Sequence, residues 1–267
     1  MKKKIYFVLL IALLFVMQAC TTVPISGRSQ LNLIPAESML SVSYQQYDQF
    51  LKENKLSSNA AETERVKRVG KNIENAVTQY FAQRGQSQQL KDYKWEYNLV
   101  DSKEINAWCM PGGKVVVYSG ILPVTQDDTG LAVVMGHEIA HAIAQHGNER
   151  MSQQLVAQMG GLALATALAT KPAQTQQLWM AVFGAGATVG VLLPYSRLQE
   201  NEADELGLTF MAMAGYDPRK AVDFWERMSK SKSGQAPPEF LSTHPSDQTR
   251  INKIKSIIHK VMPYYKG

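Results

Sequence analysis

The most informative residues are His137-Glu138-Ile139-Ala140-His141. On a helix, positions i and i+4 lie one turn apart on the same face, so both imidazoles can reach a single ion. Zn²⁺ takes such nitrogens at about 2.0–2.1 Å. Glu138 sits beside the first histidine, turned toward the substrate side, where it can take a proton from water. The stretch around it (Leu131, Val133, Val134, Ile139) is apolar, and Asp127 or Asp128 can cap a helix that runs to about Arg150. The spacing predicts one zinc ion per chain.

A catalytic zinc commonly has three protein ligands and one open position. The extended pattern with glycine at 144 and histidine at 147 is absent, because the chain has Ala144 and Gly147. His146 lies about 140° round a helix from His141, which points to a structural or supporting role. Glu200 is the better candidate. With Asp204 it forms a second i, i+4 pair on a separate helix, in Ser196-Arg197-Leu198-Gln199-Glu200-Asn201-Glu202-Ala203-Asp204. Asp204 can accept a hydrogen bond from the far nitrogen of a ligating histidine and fix its tautomer. Alone, this cluster would read as a solvated acidic face; the first motif reverses that.

Taken together these residues resemble metallopeptidase family 48, the gluzincins that include the HtpX-type and CAAX prenyl endopeptidase-type enzymes. The resemblance is carried by His137-Glu138-Ile139-Ala140-His141 and by Ser196-Arg197 with Glu200, Ala203, Asp204 and Gly207. Thr243-His244-Pro245-Ser246 with Arg250 and Ile251, and Asn106-Ala107 ahead of Pro111-Gly112-Gly113, complete it. It covers roughly residues 40 to 260 and implies a zinc endopeptidase acting on protein or peptide substrates. Glu200 would be the third ligand and Asp204 its support. The lipoprotein branch of the family implies envelope quality control. His244 or Arg250 would assist the oxyanion of the tetrahedral intermediate; His244 could instead fill the open zinc position at rest, or merely start a helix. A chaperone-like binding lipoprotein and an exopeptidase are the rival readings.

The elements that must position these residues are mainly α with a small β-sheet, an α+β zinc peptidase domain. Val66, Val69, Ile73 and Val77 recur at helical spacing. Residues 93 to 100 alternate as a strand, and Lys114 to Tyr118 reads as a second strand, either a core strand or an edge to which extended peptide could add. Residues 155 to 193 hold two apolar Ala- and Gly-rich runs about a polar break. They read first as a buried helical hairpin, and otherwise as one that touches lipid or gates the site. Gly186 and Gly190 form a small-residue pair suited to close helix packing. Further helices are expected at about Ser196 to Ala214, Pro218 to Lys230 and Ser246 to Val261, with a polar loop over Ser231 to Pro238. Cys109 reads as a small structural hydrophobe.

The chain opens with Lys2, Lys3 and Lys4, an apolar run from Ile5 to Met17, and Gln18-Ala19-Cys20. That is the layout of a secretory signal, and the cysteine makes it resemble a bacterial lipoprotein leader. The expected organisation is a signal peptide over 1–19, a lipidated tether over 20–40 attached through Cys20, and the peptidase domain over 41–267. Acyl chains on Cys20 would hold the protein on a lipid membrane, facing the periplasm. Thr21 points to the outer membrane, since enteric lipoproteins kept at the inner membrane carry Asp there. Of the formal net charge of +5, three units belong to the leader lysines. No basic stripe interleaved with aromatics is present, which argues against nucleic acid.

Overall fold

A computed structural model describes residues 20–24, 26–188, 193–231, 238–245 and 248–266. The expected signal peptide over 1–19, Gly190 and the expected helix start at Ser246 lie outside the described residues, as does most of the polar loop. The chain forms two compact units, residues 1–39 with 145–199, and residues 40–144 with 200–267.

The second unit carries the candidate site. Helices α1 (Ala36–Glu53) and α2 (Ala60–Ala82) lead into it. Asn59 caps α2 by accepting from the Glu62 amide at 3.1 Å, and Val66, Val69, Ile73 and Val77 are all fully buried along one face. Three strands follow: β3 (Glu96–Val100), β4 (Ala107–Met110) and β5 (Lys114–Tyr118), in the order β3-β5-β4. β5 pairs parallel with β3 (Glu96 opposite Lys114) and antiparallel with β4 (Ala107 opposite Val117). The β4–β5 turn needs Gly112 and Gly113, whose φ values of 87° and 84° fall in the left-handed region.

The edge alternative for Lys114–Tyr118 is thereby corrected. β5 is the central strand and every residue in it is buried. A β-branched run suits a strand covered on both faces. The strand at the edge and against the motif helix is β4.

After a short helix α3 (Leu122–Thr125), α4 (Asp128–Ile143) begins with Asp127 as its cap, accepting from the Gly130 amide at 2.7 Å. Nearly all of α4 is buried. It ends well short of Arg150: the backbone turns left-handed at Gln145 (φ 57°) before α5 (His146–Leu168). Later come α6 (Ala173–Ala187), α7 (Leu193–Met213), α8 (Lys220–Lys230), α9 (Glu239–Thr243) and α10 (Gln248–Val261). Gly215, at φ 85°, follows the end of α7 as its left-handed stop.

α4 and α7 approach backbone to backbone at Gly136 and Gly207. A Cβ on Gly207 would lie 2.8 Å from the Gly136 carbonyl carbon and the His137 amide nitrogen; one on Gly136 would lie 2.9 Å from the Gly207 carbonyl oxygen. No side chain fits there, and the contact sits directly before His137 and one turn beyond Asp204.

In the first unit, β1 (Cys20–Thr22) pairs antiparallel with β2 (Ser29–Leu31), so the expected tether is partly ordered. Arg28 makes a two-pronged ion pair with buried Glu149 at 2.6 and 2.7 Å, and the Leu33 amide donates to Ser152 Oγ at 2.8 Å. The hairpin of α5 and α6 is not buried as first expected: α6 has no buried residue. The helices meet where Phe183 lies against Gly160 and Gly161, whereas Gly186 faces open space.

Replacing a helical glycine by alanine ordinarily stabilises by about 1 kcal/mol. Gly207→Ala should do the opposite, costing about 1–3 kcal/mol by forcing α4 and α7 apart. Thermal unfolding reads this, and an unchanged or higher midpoint would refute the tight crossing.

Candidate metal centre

Three pieces of the second unit converge. α4 supplies His137, Glu138 and His141, and α7 supplies Glu200 and Asp204. The segment leaving α9 supplies His244, and α10 supplies Arg250. All seven side chains are buried.

His137, His141, Glu200 and His244 each direct one donor atom to a common centre. His137 Nε2 lies 3.1 Å from His141 Nε2, 3.2 Å from His244 Nδ1 and 3.4 Å from Glu200 Oε2. Glu200 Oε1 is 3.3 Å from His141 Nε2, and Glu200 Oε2 is 3.0 Å from His244 Nδ1. Four donors held tetrahedrally about 2.0–2.1 Å from one ion stand about 3.3–3.4 Å apart. The observed separations of 3.0–3.4 Å are of that size, and the four donor atoms all lie within 4.8 Å of one another, close enough to share a single ion. Charge agrees. Glu138, Glu200 and Asp204 are buried with Arg250 as the facing cation, and a divalent ion balances the two remaining negative charges.

Asp204 stands against His137. Its Oδ1 lies 3.1 Å from His137 Nδ1, which donates and so leaves Nε2 free for the ion. Arg250 clasps the same carboxylate with both arms, Nε to Oδ2 at 2.9 Å and Nη2 to Oδ1 at 2.7 Å. Burial pushes the Asp204 carboxyl up, but the Arg250 charge and the His137 hydrogen bond outweigh it and hold it below the usual carboxylate range. Arg250 Nη1 also stands 3.2 Å from Glu200 Oε2. Its fork thus spans Asp204, which meets His137, and Glu200, which stands among the donors.

His244 lies with its two nitrogens on different partners. Nδ1 stands among the metal donors, and Nε2 is 3.4 Å from Glu138 Oε1. His244 therefore adds a fourth donor to His137, His141 and Glu200. Glu138 is buried beside the set and is not one of its four donors.

Sequence reasoning missed Trp225. Its ring lies beneath the Arg250 guanidinium, 3.6 Å from centroid to Cζ, and meets His137 edge-on at 5.8 Å. Phe240 stacks on Trp225 and leans on His244 at 4.8 Å. In sequence, Phe224-Trp225 looks like any apolar pair on an amphipathic helix, and nothing local marks it. Cys109 is half-buried on β4, where burial and the nearby Glu138 charge push its thiol well above the ordinary range.

The sequence matches the Peptidase family M48 over residues 66–258, most of the chain. The chain belongs to peptidase family M48. Among its M48 relatives, the mitochondrial metalloendopeptidase OMA1 of Danio rerio is 33% identical over 260 residues, 95% of this chain and 53% of the relative. That of Schizosaccharomyces pombe is 38% identical over 168 residues, 62% of this chain and 47% of the relative. The beta-barrel assembly-enhancing protease of Escherichia coli is 29% identical over 179 residues, 63% of this chain and 35% of the relative. The chain thus spans about half the length, or less, of these relatives.

Metal analysis should find about one zinc per chain, and the double substitution His137→Ala/His141→Ala should abolish it. Asp204→Asn should weaken affinity by about 10–100-fold. Arg250→Lys should weaken it too, because an ammonium cannot reproduce the two-armed clasp. Full zinc occupancy in the double histidine variant, or wild-type affinity in both of the others, would refute the assignment.

Proposed function

We propose that the protein is a zinc-dependent endopeptidase, anchored to a bacterial envelope membrane through acylated Cys20 and acting in protein quality control. One observation carries the catalytic part: four buried residues whose donor atoms lie within 4.8 Å of one another, with a fifth group, Glu138, beside them and outside the set. A bound zinc supplies Lewis-acid polarisation of the scissile carbonyl. His137, His141 and Glu200 hold it, and Asp204 and Arg250 fix the orientation of His137 and Glu200.

Glu138 is the general base. It takes a proton from water as the oxygen attacks the carbonyl carbon, then delivers it to the amide nitrogen as the C–N bond breaks. The products are a carboxylate and an amine. His244 must leave the fourth donor position for substrate to enter, and once displaced it can donate to the oxyanion. An extended peptide can lie along β4, the edge strand packed on α4, where backbone bonds give affinity across many sequences.

The anchor is supported by the leader layout and by Cys20 standing at the start of β1. Thr21 favours the outer membrane. Quality control is suggested by the names of the relatives, one an assembly-enhancing protease. The rival reading, a binding lipoprotein with slow turnover, draws on His244 filling the fourth donor position. Cleavage of an internally quenched peptide with blocked ends tests endopeptidase action directly.

The two glutamates should separate cleanly. Glu138→Gln should keep the metal and lose activity by at least about 10²-fold, the scale of general-base catalysis. Glu200→Gln should lose both metal and activity. Zinc titration beside the quenched-peptide assay decides, and an empty site in Glu138→Gln with a full one in Glu200→Gln would reverse the roles.

Cys20→Ser should release the protein from membranes or leave an unprocessed precursor. Fractionation with lipid-precursor labelling checks it; labelling equal to wild type would exclude acylation at Cys20.

A further inference from the structure

Residues 151–196 contain a single charged side chain, Lys171, at the turn between α5 and α6. The surface helix α2 has seven charged residues in twenty-three. A helix that faces water on several sides normally carries such charges. The hairpin does not, and yet it is exposed. Met159 is 70% accessible, Leu162 69%, Leu178 63% and Trp179 52%, with Met151, Leu155, Val156 and Val182 also open. On α5, Met151, Leu155, Met159 and Leu162 fall at helical spacing and make one continuous stripe.

We propose that the α5–α6 hairpin is a membrane-docking element that lies in the headgroup–acyl boundary of a lipid bilayer. Three features favour lipid over a protein partner. The hairpin is exposed around most of its circumference: from Gln153 to Thr188 only Gly161 is buried. A surrounding fluid can cover such a shape, whereas one flat protein face cannot. A protein interface would also carry a polar, water-facing rim, and Lys171 is the hairpin's single charged side chain. Trp179 and Lys171, an amphipathic ring and a long-stemmed cation, are the residue types that settle at the lipid–water boundary.

No described helix is long and apolar enough to cross a membrane, and α6 is only about 22 Å long. The hairpin therefore lies in the plane of the boundary. The Cys20 strand belongs to the same compact unit, and β2 with the residues flanking it is fastened to the base of α5 through Arg28–Glu149 and Leu33–Ser152. Acylation of Cys20 would bring the hairpin to a bilayer, but the inference stands on exposure and composition without it.

Trp179 is a built-in reporter, since Trp95, Trp108 and Trp225 belong to the other unit. The full chain is mixed with vesicles of phosphatidylethanolamine and phosphatidylglycerol brominated near the headgroup end of the acyl chains. Tryptophan emission should be quenched in part, and Trp179→Phe should remove that quenchable part. Leu162→Glu/Leu178→Glu alters only exposed positions, so circular dichroism should be unchanged while about tenfold more lipid is needed. The same quenching in a Cys20→Ser chain keeps this outcome separate from the fate of the anchor. Equal quenching in wild type and Trp179→Phe would overturn the proposal. So would shielding of Trp179 from iodide in lipid-free protein that is relieved on dilution, because the hairpin would then be covered by a second copy of the chain.

Discussion

The metal centre depends on how closely α4 and α7 can approach. His137 and His141 are fixed on one helix, Glu200 and Asp204 on the other, and the side chains are short. A carboxylate on α7 can stand 3.3 Å from an imidazole on α4 because the helices touch through Gly136 and Gly207. Any side chain at either glycine would have to displace a backbone, and a displacement on the order of 1 Å is large beside metal bonds whose lengths vary by only ±0.2 Å. The glycines set a distance and the caps set the phase: Asp127 fixes where α4 begins.

Bringing three carboxylates into the interior has an electrostatic cost that the surrounding groups offset. Arg250 is the counter-charge, and its fork ties Asp204 to Glu200, so the supporting carboxylate and the ligand carboxylate are positioned by one group. Trp225 covers the other face of the guanidinium, a cation–π contact that strengthens where water is excluded. The same ring touches His137, and through Phe240 it reaches His244. Ligand, supporting carboxylate, cation and aromatic wall thus form one packed unit, in which removing one charged partner strands another.

The two units of the chain follow different surface chemistry. The peptidase unit shows water a charged exterior, exemplified by α2. The α5–α6 hairpin shows an uncharged one. Helix packing explains the interior of the hairpin, where Phe183 fills the space that Gly160 and Gly161 leave, but it does not explain the outward Met159, Leu162, Leu178 and Trp179. Those residues answer to a medium other than water, and Cys20, in the same unit, is the residue at which the sequence reads a lipid attachment.

Much of this was determined by sequence alone. The histidine pair and its neighbouring glutamate, the Glu200–Asp204 pair, the buried face of α2 and the capping of α4 are all set by one-turn periodicity and local hydrogen bonding, which act over a few residues. Tertiary structure decided what depends on distant residues. β5 became central rather than edge because β3 and β4 both pair with it, a choice that its β-branched run permits but does not specify. Arg250 meets Asp204 and Trp225, and Trp225 became part of the site, because α8 and α10 pack together. The hairpin is uncharged in sequence whether it is buried in protein or open. Only the folded chain, in which the described residues of the hairpin stand largely exposed, separates the two, because exposure is a property of what surrounds a helix and not of the helix itself.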